Sequence, residues 1–124
     1  MSSPRPDIAT ENDIKLLVDS FYDKVNADDL LSPIFNTLAK VDWKKHLPTM
    51  YLFWSSILLK TNSYRDQPWS KHAVLPVDAA HFHRWLTLFK ATVDEHFSGP
   101  KSVEAKNAAA SIADTFQNRR QLFR

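Results

Sequence analysis

The chain is 124 residues long, enough for one domain with a single core and no need of disulfides or a structural metal. It has no cysteine, which excludes disulfides, thiolate metal sites, a cysteine nucleophile and thioether-attached cofactors. Sixteen Lys and Arg against fourteen Asp and Glu leave a net charge of +2, too little for the broad basic field of a nucleic-acid binder. A single glycine, against a usual share of about 7%, argues for helices, because sheets joined by tight turns need glycine.

Residues 1–9, carrying Pro4 and Pro6, read as a flexible leader, and residues 10–124 as a single domain. No segment approaches the roughly 18 apolar residues of a membrane span, and the amino terminus lacks the apolar run of an export signal, so a cytoplasmic protein without membrane partners is expected. Thr10 is placed to cap a helix, with Glu11 and Asp13 in its first turn. Ile14, Leu17, Val18, Phe21, Tyr22 and Val25 then step by three and four along one stripe. Asp28 and Asp29 introduce a short helix or helical turn containing Leu30, Leu31, Ile34, Phe35 and Leu38, in which Pro33 is tolerated near the start.

From Asp42 to Lys60 the residues Trp43, Leu47, Met50, Trp54, Ile57 and Leu58 keep helical spacing, and Pro48 predicts a kink or a restart near His46. Residues 61–68 are a polar loop. A short piece around His72 follows, closed by Pro76. Asp78 caps a helix to about Phe97, buried through Phe82, Trp85, Leu86, Phe89 and Val93 and stopped by Ser98, Gly99 and Pro100. The last helix, from about Ser102 to Leu122, presents Ala105, Ala109, Ile112 and Phe116 on one face, and Arg119 and Arg120 complement its dipole. With no alternation of strand period, the architecture is all-α.

Five histidines invite a metal. His81 and His83, two apart on a helix, point to different faces, and His96 near a helix end is accounted for by the dipole. There is no His-x-x-x-His pair for zinc and no Gly-x-Ser-x-Gly elbow for a hydrolase. A lone histidine before an apolar pair, such as His72, is by itself more often a cap or a half-buried residue than a ligand. His46 and His72, however, lie on separate segments that a loop can fold opposite one another, as in the sandwiching of a flat cofactor. On that ground His72 reads as the proximal ligand of a haem iron, held non-covalently as haem b. Tyr22 and Trp85 lie on buried stripes where a phenol O–H and an indole N–H need partners. Singly each is an ordinary core aromatic; beside two candidate haem histidines they become candidate ligand contacts.

The fragments Phe21-Tyr22-Asp-Lys-Val25, Pro33-Ile-Phe35, Trp43-Lys-Lys-His46, Phe53-Trp54, Lys71-His72-Ala-Val-Leu-Pro76 and Phe82-His-Arg-Trp85-Leu-Thr-Leu-Phe89, in this order, resemble truncated haemoglobins of the third group. The likeness runs from about Ile8 to the end. It implies a two-over-two helical sandwich with His72 on the iron, Tyr22 and Trp85 as distal hydrogen-bonding residues, His46 as the distal histidine and Phe35 packed on the porphyrin. Met50, Phe53 and Trp54 would line the distal wall, with Phe82 and Trp85 touching the cofactor from the helix that Asp78 opens. Ligands implied are dioxygen, nitric oxide and carbon monoxide, with a reductase to keep the iron ferrous. A polar Tyr/Trp pocket favours chemistry on oxygen, nitric oxide or peroxide, resembling dioxygenase or peroxidase activity, over bulk oxygen delivery. The alternatives are a bis-histidine electron-transfer or sensor protein with His46 on the iron, and a haem-free helical interaction module.

Overall fold

The computed structural model describes residues 5–38, 40–60 and 78–122, and of residues 38 and 116–122 the backbone alone. Four long helices carry the fold: α1 (Glu11–Ala27), α2 (Trp43–Leu58), α3 (Ala79–His96) and α4 (Pro100–Leu122), with a π-helical turn at Ile34–Leu38 between the first two. α1 packs on α2 and α3, α3 on α4, and α2 touches α4. One helix pair therefore lies on the other, the two-over-two arrangement expected from the sequence.

α1 begins where its sequence predicts. Thr10 Oγ1 accepts from the Asp13 N–H at 3.2 Å, and the Asp13 carboxylate accepts from the Thr10 N–H at 3.0 Å, a reciprocal cap. All six residues of its apolar stripe are buried. Phe21 is the hub: its ring meets Phe89 of α3 edge-on at 5.3 Å, and Phe89 stacks on Trp54 of α2 at 4.7 Å. Each such side chain taken fully out of water contributes about 1.5–3 kcal/mol before packing is counted. On α4 the matching positions are small. Ala105 and Ala109 are fully buried, which lets α4 close on α3.

At the end of α1 the Asp28 carboxylate accepts from the Leu30 and Leu31 N–H groups at 3.1 and 2.9 Å and takes an ion pair from Arg84 of α3. The turn that follows is closed by the Val41 N–H on the Phe35 carbonyl at 2.9 Å, and Lys40 takes a left-handed φ of 51°. α2 is capped by Asp42 and runs through Pro48 as one helix, so of the kink or restart expected near His46 the restart does not occur. Proline removes a single N–H and the helix bonds on either side persist. α2 is tied to α1 by a hydrogen bond from the Tyr51 hydroxyl to Asp19. It ends at Leu58 with Leu59 as its cap, after which Lys60 adopts a φ of 59° and its ammonium bonds the Ile57 carbonyl and Glu104 of α4.

α3 keeps its expected limits, capped by Asp78, whose carboxylate accepts from the Ala80 and His81 N–H groups. Its stripe is buried only in the second half, at Phe89 and Val93, while Phe82, Trp85 and Leu86 in the first half are half-buried. The stop signal at Ser98, Gly99 and Pro100 also starts α4, two residues ahead of expectation, with Pro100 at the first helical position where no N–H is needed. The side chains of Phe116, Arg119 and Arg120 lie outside the described residues, as do the polar loop and the His72 piece within residues 61–77. No described helix is long and apolar enough to cross a membrane.

The described part of the expected leader is docked. Ile8 is fully buried, the Ser98 N–H bonds the Pro6 carbonyl at 3.0 Å, and the Arg5 guanidinium bonds the Glu95 carbonyl at 2.8 Å. Asp7 carries most of this attachment. Its carboxylate accepts from the Lys101 and Ser102 N–H groups and the Ser102 hydroxyl at 2.8–2.9 Å, capping α4 from 94 residues away. Gly99, at φ +135°, is required beneath it, since a Cβ there would stand 2.7 Å from the Asp7 carboxyl carbon. Reading Pro4 and Pro6 as the mark of a loose segment missed this long-range cap, which sequence spacing does not reveal.

Partial burial would raise the Asp7 pKa, but the hydrogen bonds from Lys101, Ser102 and Ile8 outweigh it and hold the carboxyl below the usual aspartate range. A depressed folded-state pKa gives stability that is present above the unfolded value, near 4, and is lost as pH falls through the folded one. Asp7→Ala should therefore cost about 1–2 kcal/mol at neutral pH, the loss of a helix cap, and lower the thermal midpoint by several degrees. The gap between variant and parent should narrow as the pH is lowered from about 5 towards 2, followed by circular dichroism. A gap that does not change with pH would show that the Asp7 charge is not what holds the strap.

Candidate functional site

Tyr22 occupies the core stripe of α1, yet its hydroxyl must be satisfied where it is buried. The partner is His46, one turn into α2, whose Nε2 lies 3.2 Å from the Tyr22 oxygen. Burial holds the phenol pKa far above its ordinary value, so Tyr22 is a neutral group that can donate or accept. The His46 ring stands edge-on to Tyr22 at 5.2 Å, and two further rings complete the cluster. Trp43 contacts Tyr22 at 5.2 Å and His46 at 5.5 Å, and Phe35 stands edge-on to Tyr22 and stacked on Trp43, each at 6.0 Å.

Trp85, on α3, meets Phe21 edge-on at 5.5 Å and stacks on Phe89 at 5.8 Å. Its indole N–H has no hydrogen-bond partner among the described residues. Tyr22 also packs on Phe21, at 4.8 Å, so the two candidate donors share one neighbour and no described hydrogen bond joins them. Met50 and Phe53 are half-buried on α2, while Trp54 is turned into the core against Phe89. Phe82 and Leu86 of α3 line an open cleft of about 320 Å³ with Ala79, His83, Ala110 and Asp114. His72 lies outside the described residues.

Half-buried apolar faces on α2 (Leu47, Met50, Phe53) and on α3 (Phe82, Trp85, Leu86), beside a core otherwise closed, suit a flat and largely apolar cofactor such as haem. A buried neutral phenol with an imidazole on its oxygen, together with an indole N–H, forms a donor set for a small ligand with partial negative charge. Residues and cofactor fit each other on both counts.

Sequence reasoning assigned Trp43 to the core and gave Asn36 no part. The Trp43 indole N–H donates to the Asn36 side-chain oxygen at 2.8 Å, and the Asn36 amide donates to Asn26 at 2.9 Å and to Ser32. The spacing of Trp43 and His46, three apart on one helix, was the signal that they share a face. Nothing in sequence spacing marks Asn26 and Asn36, ten apart across a turn.

Residues 7–118 match the bacterial-like globin family. The chain is 33% identical over 112 residues to the group 3 truncated hemoglobin ctb of Campylobacter jejuni, an alignment covering 87% of this chain and 88% of that one. It superimposes on a crystal structure of the group III truncated hemoglobin from Campylobacter jejuni with a TM-score of 0.81 at 32% identity, covering 92% of this chain and 93% of the other. Sequence, helix order and packing agree, and the chain belongs to the bacterial-like globin family as a group III truncated haemoglobin.

Proposed function

We propose that this chain holds haem b non-covalently through His72 and binds dioxygen, nitric oxide or peroxide beside Tyr22, for chemistry on the ligand more than for oxygen delivery. Membership of the family implies a haem cofactor and a small gaseous ligand. The observation that carries the finer reading is the buried Tyr22 hydroxyl at 3.2 Å from His46 Nε2. Haem, when bound, supplies a metal that takes up the gas and shifts electron density onto it. Phe35, Met50, Phe53 and Phe82 offer the apolar contacts, and the chain's polar groups respond to the charge.

Two protonation patterns satisfy the Tyr22–His46 contact. Either Tyr22 donates to Nε2, or an Nε2–H donates to the Tyr22 oxygen and leaves the phenol O–H free. In the second pattern Tyr22 points its proton at the ligand, and a hydrogen bond received at its oxygen makes that O–H a stronger donor. Trp85 adds an indole N–H, which can only donate. Hydrogen bonds to charged acceptors contribute about 1.5–3 kcal/mol each, so two at the lower end slow ligand release by roughly a hundredfold. Slow release with a polar pocket suits reaction of the ligand in place. The bis-histidine alternative is disfavoured by the same contact, because the His46 nitrogen that would face a metal is occupied by Tyr22.

His72→Ala should give protein that retains little haem and unfolds at a lower temperature, since a ligand bound only by the native state stabilises it. Full haem content with an unchanged histidine-ligated spectrum would remove His72 from its role. The ferrous protein without added ligand should show a five-coordinate, high-spin absorption spectrum. A low-spin six-coordinate spectrum that disappears on His46→Ala would favour electron transfer. Tyr22→Phe, which deletes only the hydroxyl, should speed oxygen dissociation by roughly tenfold or more and change carbon monoxide dissociation far less. Equal effects on the two gases in stopped flow would mean that Tyr22 is only a core ring.

A further inference from the structure

Trp43 opens α2 three residues before His46, so the two side chains leave the helix on one face. Tyr22, Trp43 and His46 form a triangle of rings with centroids 5.2, 5.2 and 5.5 Å apart, and the imidazole rests edge-on against both partners. Trp43 is half-buried and so needs something to fix its angle. Phe35 supplies a stacked surface on one side, and Asn36 supplies the only described hydrogen bond to its indole N–H. An indole N–H can only donate, which turns the Asn36 oxygen to Trp43 and the Asn36 NH2 to Asn26 Oδ1 and the Ser32 carbonyl. This polar chain runs from the last turn of α1, through the π-helical turn, to the first residue of α2.

We infer that Trp43 is a positioning residue which, anchored by Asn36, holds His46 against Tyr22 and thereby sets how well Tyr22 donates to the ligand. The inference rests on the function proposed above. His46 is half-buried, pairs with Tyr22 through Nε2 and lies edge-on to Trp43, so the angle of its ring depends on the rings it packs against. The Trp43 ring touches the His46 ring at 5.5 Å and the Tyr22 ring at 5.2 Å, so it packs against both members of the pair. Asn36 lies at the surface, so Asn36→Ala removes the anchor without opening a core cavity.

The haem-loaded carbon monoxide complex is diamagnetic, and nuclear Overhauser contacts between the His46 and Tyr22 rings report their pairing independently of ligand rates. Asn36→Ala should weaken these contacts and speed oxygen dissociation by about threefold or more, as for partial loss of a hydrogen bond. In a Tyr22→Phe background it should add nothing, because the group it positions is gone. Trp43→Phe, which keeps a ring and loses the N–H, should act in the same direction. Contacts and oxygen rates unchanged in both variants, while Tyr22→Phe still accelerates release, overturn the positioning role alone. Equal acceleration by Asn36→Ala with and without the Tyr22 hydroxyl overturns it as well. No change of oxygen rate in Tyr22→Phe brings down the proposed function, whereas unchanged Overhauser contacts bring down the placement of Trp43 by itself.

Discussion

A phenol hydroxyl in the middle of an apolar helix stripe is the constraint on which the site depends. Tyr22 follows Phe21 on the buried face of α1, where an unpaired hydroxyl would cost on the order of 1–3 kcal/mol. Its described partner is His46, so α2 must begin close to the end of α1 and present its first turn inward. The π-helical turn at Ile34–Leu38 and the left-handed Lys40 make that short passage, and Asp28 and Asp42 satisfy the backbone at either side of it. Local backbone chemistry between α1 and α2 thus decides the polarity of the pocket.

The remaining framework holds this corner rigidly from outside. Arg84 pairs with Asp28, so the residue next to Trp85 is tied to the end of α1. Tyr51 and Asp19 join α2 to the middle of α1. Asp7 and Gly99 lock the N-terminal segment over the first turn of α4, and Ile8 adds to the core. Core closure is uneven in consequence. Phe21 meets Phe89 edge-on and Phe89 stacks on Trp54 at the helix crossings, while the first half of α3 and the inner face of α2 remain half-buried, as suits helices that share an apolar cofactor.

Much of the fold was legible because it rests on local signals. The stripe from Ile14 to Val25, the Thr10 and Asp78 caps and the break at Gly99 are statements about neighbours three or four residues apart, and the structure repeats them. Pro48 was only partly legible: the local rule allows a kink or a restart, and the helix does not restart, because proline removes one N–H and the bonds on either side persist. The docking of residues 5–9 was illegible because its partners lie ninety or more positions away. In the site, Tyr22 and Trp85 stood out as polar atoms on apolar stripes, and His46 as a histidine on a segment able to fold opposite His72. Trp43 and Asn36 did not, since a tryptophan at helical spacing reads as core and an exposed asparagine reads as solvent-facing.

Reading Tyr22 as a donor, and not only as a satisfied core residue, turns on the direction of one proton. The carbon monoxide stretching vibration of the haem-loaded protein reports the field at the ligand without depending on rates, because a donor close to the oxygen end lowers the frequency. A band that rises in Tyr22→Phe is the result predicted for a phenol O–H aimed at the ligand with His46 behind its oxygen. A band at the same frequency in parent and variant would mean that Tyr22 spends its proton on His46, and the polar-pocket mechanism would be wrong.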